Sequence, residues 1–196
     1  EKYVTIIVFL YYGSYIMVRK SLALFLGLWM AISPAKAADK TIYDIINAED
    51  QDTFSDMVAL GFDIDQKDSD GFTPLMIASA LGKVRFVQFL IYNGANVDAR
   101  SKTGLTALHR AAQDGRNEAI AALLDGGANI NTPDMFGSTP LMAAVVAKQR
   151  FTVEFLVKRG ANLNFRNAKG DSALKIADHK KFYDISAYLR EQNAAY

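Results

Sequence analysis

An all-α solenoid of stacked two-helix units is the fold this sequence predicts, and three observations carry the prediction. Hydroxyl residues recur at Thr73, Thr106, Thr139 and Ser172, always 33 residues apart. The tripeptide Gly-Ala-Asn begins at Gly94, Gly127 and Gly160 with the same step. Between these marks, leucine and small residues return at helical spacing. A fixed period of this length marks supersecondary units that each bury a face against the next.

The stretch Asp70 to Asp98, DGFTPLMIASALGKVRFVQFLIYNGANVD, states one unit in full. It opens on a turn glycine, repeated as Gly104, Gly137 and Gly170. Two residues later the hydroxyl of Thr73 suits a helix N-cap, and Pro74 and Pro140 sit where a missing N–H costs a helix nothing. Leu75, Ala78 and Ser79 correspond to Leu108, Ala111 and Ala112, then to Leu141, Ala144 and Val145, so a short helix can lie close to its neighbour. A second helix carries Val87, Leu90 and Ile91, matched by Ile120, Leu123, Leu124 and by Val153, Leu156, Val157. It stops at Gly94, Gly127 and Gly160, the residue type favoured just past a helix end. Each unit is therefore helix, turn, helix and a hairpin-like finger.

Gly-x-Thr-Pro-Leu at Gly71 and Gly137, Thr106-Ala107-Leu108-His109-Arg110-Ala111-Ala112 and the three Gly-Ala-Asn turns together resemble an ankyrin-repeat protein. The resemblance covers roughly residues 40–192. It implies that His109 holds the turn at Thr106, and that partner contacts come from finger tips and the outer side of each first helix. The pattern also departs from the family. The motif histidine is replaced by Met76, Met142 and Lys175, and the inter-helix glycines Gly82 and Gly115 give way to Lys148 and Lys181. Less regular inter-helix turns are expected in the last two units.

Both ends of the array read as caps. Residues 38–66 form a degenerate first unit, in which Ile42, Ile45, Phe54, Met57, Val58, Gly61 and Ile64 align one period before Leu75, Ala78, Val87, Leu90, Ile91, Gly94 and Val97. Thr41 and Thr53 are its expected N-caps. Four further repeats fill 67–192, the last with Ser186 and Arg190 in apolar slots, and 193–196 reads as a tail. About five units result, expected to act as a monomer.

Residues 17–37 have the layout of a bacterial secretory signal: basic Arg19 and Lys20, an apolar run from Leu22 to Ile32, Pro34, and Ala35-Lys36-Ala37 for cleavage after Ala37. The apolar run falls short of the roughly 20 residues needed to cross a bilayer. Residues 1–16 read as extra upstream translated sequence, with Met17 the start. Periplasmic or secreted protein is then expected. The alternative is an uncleaved inner-membrane anchor, because Val4 to Val18 is nearly apolar. Membrane association is expected only in that case.

Composition narrows the chemistry. With no cysteine, thiol catalysis, thiolate metal sites and redox switching are excluded. The two histidines, His109 and His179, have no zinc-binding spacing, and no nucleophile elbow, Walker loop or dinucleotide fingerprint occurs. Asp63 to Gly71 is acidic, but Gln66 and Ile77 fall where a calcium loop needs acids, so these residues read as turn groups. No metal, cofactor, small-molecule substrate or catalytic residue is expected. The remaining alternative, an enzyme with an unrecognised site, would require a cleft with convergent titratable groups, of which the sequence offers few.

Charge is polarised along the chain. From Ala38 to Asp70 ten acids face only Lys40 and Lys67, whereas from Gly71 on sixteen Lys/Arg face ten acids. Either this steers an oriented encounter or it solubilises the end caps. The basic residues are scattered and the exported part is net acidic, which argues against nucleic acid.

A protein partner is therefore expected, as an adaptor or regulator would require. Phe72, Ile77, Leu81, Leu105, Met135, Phe136 and Val146 are large and apolar where solvation favours polar residues. They are expected to form one continuous concave patch rimmed by Arg100, Lys102 and Arg110. The competing expectation is that Phe72 and Leu105 pack partly on neighbouring fingers.

Overall fold

The computed structural model describes residues 41–194. The expected upstream segment 1–16 and signal 17–37 lie outside them. Among the described residues every regular element is a helix. The first unit holds α1 (Ile42–Asn47) and α2 (Gln51–Ala59), the second α3 (Pro74–Leu81) and α4 (Val84–Tyr92). Then follow α5 (Ala107–Gln113) and α6 (Asn117–Asp125), α7 (Pro140–Val146) and α8 (Arg150–Lys158), and α9 (Ala173–His179) and α10 (Tyr183–Glu191).

Each of α3, α5, α7 and α9 starts where the hydroxyls predict. Thr73, Thr106, Thr139 and Ser172 are extended, and their oxygens accept from the amides of Met76, His109, Met142 and Lys175. This satisfies one amide that the first helical turn leaves without a partner. Thr53 does not cap α2. It lies one turn inside, and Asp50 accepts from both its amide and its hydroxyl, at 3.1 and 2.8 Å.

The first helices form a row, α1 on α3, α3 on α5, α5 on α7 and α7 on α9. Ala78, Ala111, Ala144 and Ala177 are fully buried in it, and their small side chains let the helices approach. Leu75, Leu108, Leu141 and Leu174 fill the core beside them. The second helices form the outer layer. At the acidic end, Phe54 closes the core by packing edge-on against Phe62 and Phe86.

Asx side chains tie the units laterally. Asp65 accepts from the amide of Asn96, Asp98 from Asn129, and Asn131 from Asn162, at 2.8–3.2 Å. The fingers are joined by backbone bonds: the amides of Lys102, Met135 and Ala168 donate to Asp70, Thr103 and Phe136. Glycine is required at the finger turns because a Cβ on Gly71 or Gly104 would stand 2.7 Å from the next finger's backbone nitrogen.

The inter-helix turns of the last two units are regular, contrary to expectation. Lys148 and Lys181 adopt φ of 58° and 59°, close to the 71° and 69° of Gly82 and Gly115. The closing bond is kept too: Gln149 and Phe182 donate to Ala144 and Ala177 as Lys83 does to Ala78. The frame imposes the left-handed turn on a lysine. The fifth unit also runs further than 192, since Asn193 (φ 60°) and Ala194 repeat the bonds of Gly160 and Ala161. Ser186 is buried rather than part of an exposed polar face, and its hydroxyl donates to the Tyr183 carbonyl. Arg190 is exposed and folds onto Asp178 at 2.8 Å.

Candidate partner-binding surface

The concave side of the first three units carries a groove of about 480 Å³. Its apolar wall comes from Phe72 on a finger, Ile77, Ala80 and Leu81 on α3, and Tyr43 on α1. Arg110, Asp114 and Arg116 make the opposite wall. The 3.6-residue helical period explains the grouping: α3 buries Leu75, Met76, Ala78 and Ser79, which leaves Ile77, Ala80 and Leu81 on its outer side.

Arg110 lies over the Phe72 ring, 5.3 Å from its centroid, and its guanidinium reaches Asp114 at 3.8 Å and Gln113 at 3.3 Å. A cation over an aromatic face is attracted by the ring quadrupole, so Arg110 fixes the ring that forms the apolar wall. Arg116 donates from Nε to the Ala80 carbonyl at 3.0 Å, which joins the third unit to the second across the groove floor. Asp68, at the finger end, is held by the amides of Asp70 and Phe72 at 2.9 and 2.8 Å. Its oxygen shapes the turn.

The residues expected in one patch fall into separate places. Phe72, Ile77, Leu81 and Arg110 meet in the groove, the first three half-buried against the core. Leu105 is half-buried on the next finger and does not line the groove. Met135 and Phe136 are each 60 % exposed on a later finger, and Val146 is 51 % exposed on α7. Along the first helices the apolar face is interrupted, because the third unit places Arg110, Gln113 and Asp114 where the second has Ile77, Ala80 and Leu81. Arg100 is no free rim either: its guanidinium donates to the Pro133 carbonyl one unit on. Lys102 is exposed.

Tyr43, Met76, Asp68 and Arg116 were missing from the expected surface. Tyr43 and Met76 share one register position, where motif residues turn inward, and that masked Tyr43. Arg116 aligns with Lys83 and Gln149 at the turn between helices.

His109 shows what the motif does. Its Nδ1 accepts from the Thr106 amide at 3.2 Å and lies 3.0 Å from the Thr106 hydroxyl, so the ring proton sits on Nε2. Nε2 donates to the Ser138 carbonyl of the next finger at 3.0 Å. The neutral ring thus caps one unit and holds the next. Burial pushes its pKa below the usual value, which the bond to Ser138 and the charge of Asp134 only partly offset.

Two family models match. Three copies of the ankyrin repeat cover residues 43–134, and a further ankyrin repeat covers 136–168. No curated protein sequence matches the chain. Ankyrin repeats are in general protein–protein interaction modules and typically non-catalytic. With the 33-residue period, the capped helix pairs and the His109 link agreeing with these matches over more than half its length, the chain belongs to the ankyrin-repeat family.

Proposed function

We propose that this is a non-catalytic protein-binding module, an adaptor or regulator of another bacterial envelope or secreted protein. The groove bounded by Tyr43, Phe72, Ile77, Leu81 and Arg110 carries the reading. Its walls are fixed by helix packing and by the Arg110–Phe72 stack, so a partner's apolar side chains would enter a preformed recess at little ordering cost. Arg110 and Asp114 alongside supply polar selection. Met135, Phe136 and Val146 would extend the contact for a long partner. The exported location rests on the signal layout of residues 17–37 alone.

The test is a binding measurement with the partner purified after affinity capture from the envelope fraction. Ile77→Ser with Leu81→Ser should leave helical circular dichroism intact and weaken binding on the order of 100-fold, as loss of central interface anchors does. Tyr92→Ser, at the exposed end of α4, should leave binding unchanged. Undiminished binding by the double variant would remove the groove from the interface.

A further inference from the structure

We propose that the inter-helix turns of the last two units form a docking edge for an anionic bilayer surface. Lys148, Lys180 and Lys181 are exposed there, and among the described residues none has a carboxylate within ion-pairing distance. The acids nearby are already engaged. Glu154 lies 2.7 Å and Asp184 3.8 Å from Arg150, and Asp178 lies 2.8 Å from Arg190. Lys148 lies over the Phe182 ring, 5.3 Å from its centroid, which holds its ammonium without neutralising it. The three lysines thus remain without a carboxylate on adjacent turns, roughly one helix-pair spacing, about 10 Å, apart.

Backbone strain supplies a second observation. Lys148 and Lys181 occupy left-handed turns that the second and third units give to glycine, where an L side chain is disfavoured. The fold would accept glycine at both places. Lys148 adds a contact with the Phe182 ring, whereas Lys181 has, among the described residues, neither a ring contact nor an ion pair to set against its strain. Strain kept where folding does not need it points to function. The first unit places Glu49 at the equivalent position, φ 52°, so charge at this edge runs from acidic to basic along the array.

The third observation selects the partner. Phe151 and Tyr183, 78 % and 72 % exposed, project from the first turns of α8 and α10, just after these lysines. Outward aromatic rings beside lysines match the bilayer interface, where cations meet lipid phosphates and rings settle at headgroup depth. An acidic protein would meet the same groups, but the order of lysine then ring repeats on two adjacent turns, as a planar interface favours. The acidic first unit would be repelled from the same surface. The array would then stand on its last units with the groove of the first three open to a protein.

The cysteine-free chain allows one labelled site at a time. A polarity-sensitive dye at His179→Cys, beside the lysines, is compared in the full chain with the same dye at Tyr92→Cys. Phosphatidylcholine/phosphatidylglycerol vesicles should shift the emission at 179 and not at 92, and pure phosphatidylcholine vesicles should shift neither. Lys148→Ser, Lys180→Ser and Lys181→Ser together should weaken the response at 179 on the order of 100-fold, from the usual contribution of a surface lysine. Raised salt should weaken it too. Attachment through residues 1–37 alone would affect both labels alike and survive the triple substitution, which overturns the proposal. A dye response to polyglutamate but not to vesicles would assign the edge to an acidic protein and overturn it as well.

Discussion

The second and third units are built on the same 33-residue frame, yet they face a partner with opposite chemistry. Leu75 and Leu108, Ala78 and Ala111, Thr73 and Thr106 are buried pairwise in equivalent places. Outside the core, Ile77, Ala80 and Leu81 of one unit become Arg110, Gln113 and Asp114 of the next. The groove exists because these unlike surfaces are adjacent, an apolar wall against a charged one. Stacking fixes the inner positions by volume and hydrogen bonding, and it leaves the outer ones free to specialise.

Breaking the comparison at its inner positions should have the largest effect. Leu108→Ala should cost about 3 kcal/mol in urea unfolding, because a cavity opens in a core that stacks on both neighbours. Arg110→Ala, two residues on and facing the groove, should cost about 0.5 kcal/mol, since the cation–ring contact and the contacts to Gln113 and Asp114 that it loses are all near the surface.

His109 comes next. His109→Ala should cost about 2 kcal/mol by leaving the Thr106 amide and Ser138 carbonyl without their partners. His109→Met should recover part of that, as Met76 and Met142 fill the same place. The two variants also separate in pH. The folded pKa lies below the ordinary 6.5, so the stabilisation is complete above about 6.5. Below it the unfolded chain takes up a proton that the folded ring refuses, and stability falls until the folded pKa is reached. Melting temperature of the native protein should drop through this range more steeply than that of His109→Met.

Two substitutions should sharpen the comparison by small gains. Ser79 is fully buried and its hydroxyl has no hydrogen-bond partner, whereas the third unit carries Ala112 there. Ser79→Ala should stabilise by about 1 kcal/mol, read as a higher urea midpoint at an unchanged slope. Lys181→Gly removes the cost of a left-handed lysine but loosens the unfolded chain, and thermal melting should show a net gain of about 0.5 kcal/mol at most.

Much of the array was legible because each signal is local. A hydroxyl at Thr73, Thr106, Thr139 or Ser172 meets an amide three residues on, and that bond depends on no distant contact. Thr53 shows how a local rule fails when two cap-forming residues compete three apart. The period could have resolved it, since Asp50 aligns with Lys83, Arg116, Gln149 and Phe182, each the N-cap residue of its second helix. Lys148 and Lys181 misled in the other direction. Residue type argued for an irregular turn, but the flanking helices fix the closing bond and drive the lysine into the left-handed region.

By itself the sequence determined the repeat length, the helix starts, the buried leucines and alanines and the acidic-to-basic run, because these follow from spacing and residue type within one unit. Tertiary structure decided which outer side chains share a space: Phe72 under Arg110, Arg116 across to Ala80, Tyr43 at the rim, and Met135 and Phe136 apart from them. Those relations join side chains of different units, and their meeting depends on how one helix pair is rotated and offset against the next. That offset is set by packing across the interface, so it cannot be read along a single strand of sequence.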